Sequence, residues 1–162
     1  RDDGIVLHHR SSDLLTQDPE LRYLLVFTGR PHHSGLNNFA VLTRLVERDQ
    51  ATWNAIKALH ALSQDVALLL CANRPVNWLD VFNRELEARI RLAPTFSSRE
   101  IDDLHREVQL INQQNRKTVV GMKILGAGGG GCVLIACKGS CFDDLSQKIE
   151  RLALKVLPFH FI

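Results

Sequence analysis

The feature that most constrains this chain is the stretch MKILGAGGGGCVLIAC, residues 122–137. Five of the ten glycines fall between Gly126 and Gly131, and apolar runs typical of strands lie on both sides. Ordering a glycine costs roughly 0.5–1 kcal/mol relative to alanine, and a hairpin turn needs only one or two. We therefore interpret this loop as backbone that takes positive φ or lets a ligand or another loop come close. Its residues are Gly126, Ala127, Gly128, Gly129, Gly130 and Gly131.

The glycines do not fit the common phosphate-binding loops. Those loops run from a strand into a helix, whose first N–H groups face the anion. Here the glycines run into CVLIAC, which predicts a strand, and no Gly-Lys-Ser/Thr ending follows. Walker A and Rossmann sites are therefore excluded, although GAGGGG happens to match G-x-G-x-x-G.

Hydrophobic periodicity predicts a sheet interrupted by several helices. The predicted strands are 21–29, 118–125, 132–138 and a last one within 157–162, with an optional edge strand at 4–9. The predicted helices are 36–48, 52–72, 75–92, one opened by a Ser97–Glu100 capping box, and a last helix after the third strand. The predicted buried face of the helix at 52–72 consists of Trp53, Ile56, Leu59, Leu62, Val66 and Leu69. In the helix that follows Ser97 it consists of Ile101, Leu104, Val108 and Ile111, and in the last helix of Leu145, Ile149, Leu152 and Val156. Without the optional strand, the order β-α-β-β-α-β predicts an α+β, ferredoxin-like antiparallel sheet with extra helices in the first crossover.

Composition predicts one domain, residues 1–162, with no affinity for nucleic acid or membrane. The formal charge of +2 produces no strong field, and no apolar run approaches the roughly 18 residues that span a bilayer. Cys71, Cys132 and Cys137 lie in apolar runs, which favours buried thiols over disulfides or a metal site. No signal peptide precedes the first strand, so we expect a cytoplasmic protein, and the missing initiator Met suggests a piece of a longer chain.

The segment KILGAGGGGCVLIA closely resembles the third signature motif of the GHMP kinases, the superfamily of galactokinase, homoserine kinase, mevalonate kinase and phosphomevalonate kinase. LRYLLVFTGRPHHSGLNN resembles the strand and substrate-side loop that open their C-terminal domain, and FNRELEARIRLAPTFSSREIDDL resembles the helices before the third motif. The resemblance covers nearly the whole chain and is nearest to the sugar-kinase branch. Nothing resembles PxxxGLGSSA, the phosphate loop of the N-terminal domain. The resemblance therefore implies a C-terminal domain, either excised or supplied by a split protein.

The resemblance implies transfer of the ATP γ-phosphoryl group to a sugar or related alcohol. ATP and Mg²⁺ would be bound in the complete enzyme and not by this chain alone, and the N-terminal domain would be its partner. The glycine loop would shape the cleft and support the missing phosphate loop. His33, Ser34 and Asn37 are candidates for binding substrate hydroxyls, while Ser34 or Asn37 fits a helix cap equally well. No catalytic residue is identified.

Other polar and aromatic residues have simpler interpretations. Lys123 either reaches a phosphate or is a solvated lysine, the commoner case, and His60, His105, Trp53 and Trp78 are interpreted as structural. A function of another class also remains open: a stand-alone ferredoxin-like module that binds a small ligand or a protein through the glycine edge.

Overall fold

The computed structural model describes Leu15 and residues 18–31 and 34–160. The optional strand at 4–9 lies outside these residues. In chain order the elements are β1 (Leu21–Phe27), α1 (Ser34–Val46), α2 (Gln50–Cys71), α3 (Trp78–Leu92), a 3₁₀ turn (Pro94–Phe96), α4 (Arg99–Gln114), β2 (Val120–Ile124), β3 (Cys132–Lys138), a second 3₁₀ turn (Gly139–Cys141), α5 (Phe142–Arg151) and β4 (Lys155–Leu157).

The four strands form one sheet in the order β2-β3-β1-β4, and every neighbouring pair is antiparallel. β3 lies between β1 and β2, with Leu25 opposite Leu134 and Gly121 opposite Ala136. β1 and β2 consequently point the same way, and their C-terminal ends lie at one end of the sheet. The ferredoxin-like prediction is confirmed, including the extra helices between β1 and β2.

The core lies on both faces of the sheet. On one face, α4 and α5 pack against β-strand residues such as Val26, Met122 and Ile135, all fully buried. The stripe predicted for α4 is confirmed, since Ile101, Leu104, Val108 and Ile111 are all buried. On the other face, Leu79 and Phe82 of α3 pack against β1 and β3.

Two asparagines form hydrogen bonds along the outer edge of β2, which pairs with no further strand among the described residues. Asn112 accepts hydrogen bonds from the N–H groups of Val119 (2.8 Å) and Val120 (2.9 Å) and donates to the Val120 carbonyl (2.9 Å). Asn83 donates to the same carbonyl (2.9 Å) and accepts from Met122 N (3.1 Å). Unpaired strand edges invite aggregation, so these side chains act as a substitute for a fifth strand.

α1 and α2 each begin two residues before the predicted start, and α3 and α4 begin at other caps than predicted. α3 begins at Trp78 and not near Pro75, because the Asn77 side chain caps it by accepting from the Asp80 N–H at 3.3 Å. α4 is capped by Ser98, whose hydroxyl accepts from Ile101 N at 3.4 Å, so the predicted cap at Ser97 is wrong by one residue.

Two predicted faces also need correction. In α2 the buried residues are Thr52, Ala55 and Leu62, while Trp53 is 43% exposed. α5 ends at Arg151, and Val156, predicted on its buried face, belongs to β4 and is 41% exposed. The chain leaves the helix through Ala153, which has a φ of +56°, and it therefore forms the last strand at Lys155–Leu157, before most of the predicted segment.

The four cysteines are free thiols in the structure. Cys137 is buried as its apolar run predicts, and that burial raises its pKa to about 12. Cys141 is buried as well, and Cys132 is half-buried. The prediction is wrong for Cys71, which is exposed at the last residue of α2.

Candidate functional site

The glycine loop joins β2 to β3 and has a fixed conformation. Leu125 N donates to the Cys132 carbonyl at 2.9 Å, which closes the loop at its base. The Thr28 N–H and hydroxyl both donate to the Gly131 carbonyl, at 2.9 and 3.0 Å, and tie the loop to the end of β1. All five glycines have positive φ. A merely flexible hairpin turn would not make these contacts.

Close packing explains why side chains are absent at the centre of the loop. Gly129 has a φ of +74°, and a Cβ there would lie 2.6 Å from the Thr95 carbonyl oxygen. Its N–H donates to the Phe96 carbonyl at 2.8 Å. At Gly128, with a φ of +77°, a Cβ would lie 2.9 Å from both the ring and the carbonyl of Phe96. Both predicted reasons for glycine, positive φ and close approach, therefore apply at these two positions.

Side chains from distant elements bind the carbonyl groups of the loop. The Asn37 amide, on the first turn of α1, donates to the carbonyls of Ala127 (2.6 Å) and Gly128 (3.0 Å) and is buried. Arg89 of α3 donates through Nη1 to the Gly126 carbonyl at 2.6 Å. The acceptors of the loop are thus largely occupied by the protein itself.

Several N–H groups of the loop, in contrast, have no partner in the described part of the chain. Gly131 N donates to the Arg30 carbonyl at 2.8 Å, and Gly129 N is bound as described above. The N–H groups of Gly126, Ala127, Gly128 and Gly130 make no hydrogen bond within residues 18–31 and 34–160. Gly126 is exposed and Ala127 is half-buried, whereas Gly128 and Gly130 are buried. The N–H groups of Gly126 and Ala127 therefore suit an anion, or the carbonyls of another loop.

Arg30 brings a positive charge to the same end of the sheet. Its side chain is 59% exposed, and its Nε donates to Glu100 Oε1 at 2.8 Å, in the first turn of α4. The pKa of Glu100 is lowered from its ordinary value, chiefly because the backbone N–H of Glu100 donates a hydrogen bond to its carboxylate. The Ser98 hydroxyl and the Arg30 guanidinium lower that pKa further. The carboxylate therefore stays charged and orients Arg30 beside the loop.

The predicted substrate-binding residues are only partly described. His33 lies outside the described residues, and Ser34 begins α1. Because β3 lies between β1 and β2, we expect the segment after β1 to lie about two strand spacings, roughly 10 Å, from the glycines. For His33 and Ser34 this distance stays a prediction. Asn37 contacts the loop itself, and binding of a substrate by any of the three stays a prediction.

Sequence reasoning missed Arg30 and Arg89 as members of the site. Arg89 lies four residues after Glu85 and forms the ordinary helical ion pair with it at 2.8 Å, so no local pattern marks its bond to the loop. Arg30 was marked only by its position directly after a strand that ends in Thr-Gly. Lys123 is half-buried, and its Nζ pairs with Glu85 Oε1 at 2.9 Å, while its contact with a phosphate stays a prediction.

Two further findings concern metal ions and membranes. Among residues 18–31 and 34–160 with Leu15, no group of three or more His, Cys, Asp or Glu side chains could hold a metal ion. In that same part of the chain, no helix combines the length and the apolar character that crossing a membrane requires.

Comparison with known proteins gives a consistent set of relatives. No protein-family model matches the chain. It is 30% identical over 146 residues to the bifunctional fucokinase/GDP-fucose pyrophosphorylase of Arabidopsis thaliana, covering 88% of this chain and 13% of that protein.

Solved structures share the fold at lower identity. They include the Lin0012 protein of Listeria innocua (TM-score 0.65, 16% identity, 86% of this chain and 39% of that one). The mevalonate kinase of L. major with R-mevalonate matches with TM-score 0.64 and 14% identity, over 84% of this chain and 41% of that one. The Streptococcus pneumoniae phosphomevalonate kinase with phosphomevalonate and AMPPNP matches with TM-score 0.57 and 15% identity, over 88% of this chain and 40% of that one. The chain therefore spans about two fifths of the length of these structures.

Proposed function

Since the chain belongs to the GHMP kinase superfamily, we propose that it is the C-terminal, substrate-side domain of an ATP-dependent kinase for a small molecule. The complete enzyme would transfer the γ-phosphoryl group of ATP to a hydroxyl group of the acceptor. Such transfer depends on positioning and on stabilising negative charge more than on proton chemistry.

The available N–H groups of the glycine loop carry this proposal. Arg89 binds the carbonyl of Gly126, and Asn37 binds the carbonyl of Ala127. These two accessible residues therefore present N–H donors while their own carbonyls are occupied. Donors fixed in advance stabilise charge without reorganising during the reaction. In the complete enzyme they would support the phosphate loop of the N-terminal domain around ATP, with Mg²⁺ held by the whole assembly. Because the reaction consumes ATP, we propose a cytoplasmic location.

The acceptor is proposed to be a sugar or sugar phosphate. The relative that is 30% identical has fucokinase in its name, whereas the structural neighbours named for mevalonate and phosphomevalonate are at most 15% identical. His33 and Ser34, on the segment between β1 and α1, would contact the hydroxyl groups of the acceptor. In the complete kinase, His33→Ala or Ser34→Ala should raise KM for the acceptor or lower kcat and leave KM for ATP nearly unchanged. A selective defect in ATP binding would contradict these roles.

The exposed face of α1 supports an N-terminal domain as partner. Four apolar side chains, Leu36, Phe39, Leu42 and Val46, are between 61% and 83% exposed on the helix that holds the glycine loop. Exposed apolar patches of this kind mark interaction surfaces. The neighbouring domain, in cis or as a separate subunit, would cover this face and close the cleft.

A substitution of Ala127 tests the role of the loop donors. Ala127→Pro in the complete protein removes one N–H that has no partner in the described residues, and Ala127→Ser keeps that N–H as the matched control. We expect the proline variant to lose about 100-fold in kcat with a melting temperature close to that of the serine variant. If both variants turn over ATP and a panel of sugars at equal rates, the donors have no part in catalysis.

The same apolar face also favours a second candidate, a stand-alone ferredoxin-like module that binds a ligand or a protein without catalysis. The two functions differ in one measurement. Phosphorylation of a sugar by the complete reading frame supports the kinase, whereas its absence together with stable binding of a partner supports the module.

A further inference from the structure

An ion-pair network connects α3 to the base of the glycine loop. Glu85 Oε1 accepts from Arg89 Nη2 at 2.8 Å and from Lys123 Nζ at 2.9 Å. Lys123 lies near the end of β2, where the chain enters the loop. Arg89 donates through Nη1 to the Gly126 carbonyl at 2.6 Å. One carboxylate therefore holds both the end of β2 and the arginine that binds the loop.

Stability alone does not explain a carboxylate at residue 85. The Glu85 side chain is 13% exposed and lines a groove together with apolar residues of α2 and α3, among them Leu62 and Phe82. Its second oxygen, Oε2, is buried and has no hydrogen-bond partner in the described part of the chain. A buried acceptor without a donor is rare, and replacing buried ion pairs with apolar residues is often neutral or stabilising. The charge at this position therefore calls for a role in function.

The planarity of the peptide bond links the Arg89 contact to a donor of the loop. The Gly126 carbonyl and the Ala127 N–H belong to one planar trans unit, in which the C=O and N–H bonds point in opposite directions. Because Arg89 fixes the carbonyl, it also fixes the direction of the Ala127 N–H, which has no partner among the described residues. Asn37 binds the Ala127 carbonyl at 2.6 Å, so the peptide units on both sides of Ala127 are held.

We propose that Glu85 is a positioning residue, which acts through Arg89 to fix the direction of the Ala127 N–H donor. Arg89 and Lys123 share one carboxylate oxygen and lie close together, so without the negative charge they repel each other. Arg89 then moves away from the Gly126 carbonyl, and the peptide unit between Gly126 and Ala127 loses its fixed orientation. The effect of Glu85 on catalysis rests on the proposed function, whereas its effect on this peptide unit does not.

NMR of the 162-residue chain tests the positioning step without any reaction. The readouts are the carbonyl carbon signal of Gly126 and the amide signal of Ala127. Glu85→Gln and Arg89→Met should shift both signals in the same direction, because each variant removes the fixed Arg89 bond. Glu87→Gln, at an exposed acid on the same helix, should leave both signals unchanged. Unshifted signals in Glu85→Gln, or equal shifts in Glu87→Gln, would overturn the inference.

Kinetics of the complete kinase test the consequence for the reaction. Glu85→Gln and Arg89→Met should each lower kcat about tenfold, with both KM values nearly unchanged, because the Ala127 N–H is misdirected and not removed. Since the two residues act in series, the double variant should also lose about tenfold, whereas independent effects would multiply to about 100-fold. A 100-fold loss in the double variant, or full activity of Glu85→Gln with a shifted Ala127 signal, would overturn the assigned role.

Two further comparisons keep the outcomes separate. If Glu85→Gln does not fold, Glu85→Asp takes its place: it keeps the charge but is one CH₂ shorter, so it cannot hold both cations at the observed distances, and a smaller shift in the same direction is expected. If the complete, unsubstituted protein phosphorylates no acceptor, the kinase proposal fails, while the NMR comparison still decides whether Glu85 positions the peptide unit.

Discussion

Two glycines of the loop form a matched pair that separates backbone conformation from close packing. Gly126 and Gly129 have nearly the same positive φ, +67° and +74°. A Cβ at Gly126 meets nothing within 4 Å, whereas a Cβ at Gly129 would lie 2.6 Å from the Thr95 carbonyl oxygen. Alanine at either position therefore carries the same conformational strain, and only alanine at Gly129 also collides with backbone.

The expected free energies follow from these two terms. Placing alanine in the left-handed region destabilises the folded protein by roughly 1–2 kcal/mol. Alanine also restricts the unfolded chain more than glycine does, which offsets roughly 0.4–1 kcal/mol of that loss. Gly126→Ala should therefore lower the free energy of unfolding by about 1 kcal/mol. Gly129→Ala adds an overpacking cost of roughly 1–3 kcal/mol, because the Thr95 and Phe96 backbone must shift.

Urea unfolding of both variants and the unsubstituted protein measures the difference, and thermal melting checks it. For a domain of this size each kcal/mol lowers the melting temperature by about 2–4 °C, so Gly129→Ala should melt at least about 2 °C below Gly126→Ala. Equal midpoints for the two variants would show that the loop is not packed against the Thr95 turn. A bulkier Gly129→Val should lose stability as well as activity, since the obstacle is backbone.

Three further outcomes are expected. Gly121→Ala should lower the free energy of unfolding by roughly 1–3 kcal/mol, because its Cβ would lie 2.7 Å from the Leu79 backbone, and an unchanged urea midpoint would contradict that packing. Asn112→Leu should lower the free energy of unfolding by at least about 2 kcal/mol, because two buried N–H groups lose their acceptor. Replacing the exposed neighbour, Gln113→Leu, should lower it by under about 0.5 kcal/mol. Equal losses would show that Asn112 does not stabilise the edge of β2. The 162-residue chain alone should neither hydrolyse ATP nor phosphorylate a sugar, and turnover above background in a coupled assay would contradict the proposal that it is one part of a kinase.

The sequence predicts what is local and periodic. The α4 stripe from Ile101 to Ile111 repeats at helical spacing, and the glycines lie visibly between two strands, so both could be predicted from neighbouring residues. The bonds that fix the loop could not, because Asn37 and the carbonyls it binds are separated by 90 and 91 residues. Asn83 was unpredictable for the same reason: its partner strand begins 37 residues later. Trp53 was misplaced because it lies about two and a half helical turns before the buried Leu62, and therefore on the opposite side of α2.

The contacts of the glycine loop explain why the first crossover, between β1 and β2, contains several helices. A ferredoxin-like sheet needs only one helix between β1 and β2, and α4 fills that position against the core. The additional elements bring three groups to the loop: Asn37 from α1, Arg89 from α3 and the Phe96 carbonyl from the 3₁₀ turn. Each binds a different part of the loop, and α4 alone provides none of these three contacts. The inserted elements therefore fix the glycine backbone by bonds at Gly126 to Gly129, while the N–H groups of Gly126 and Ala127 have no partner among the described residues.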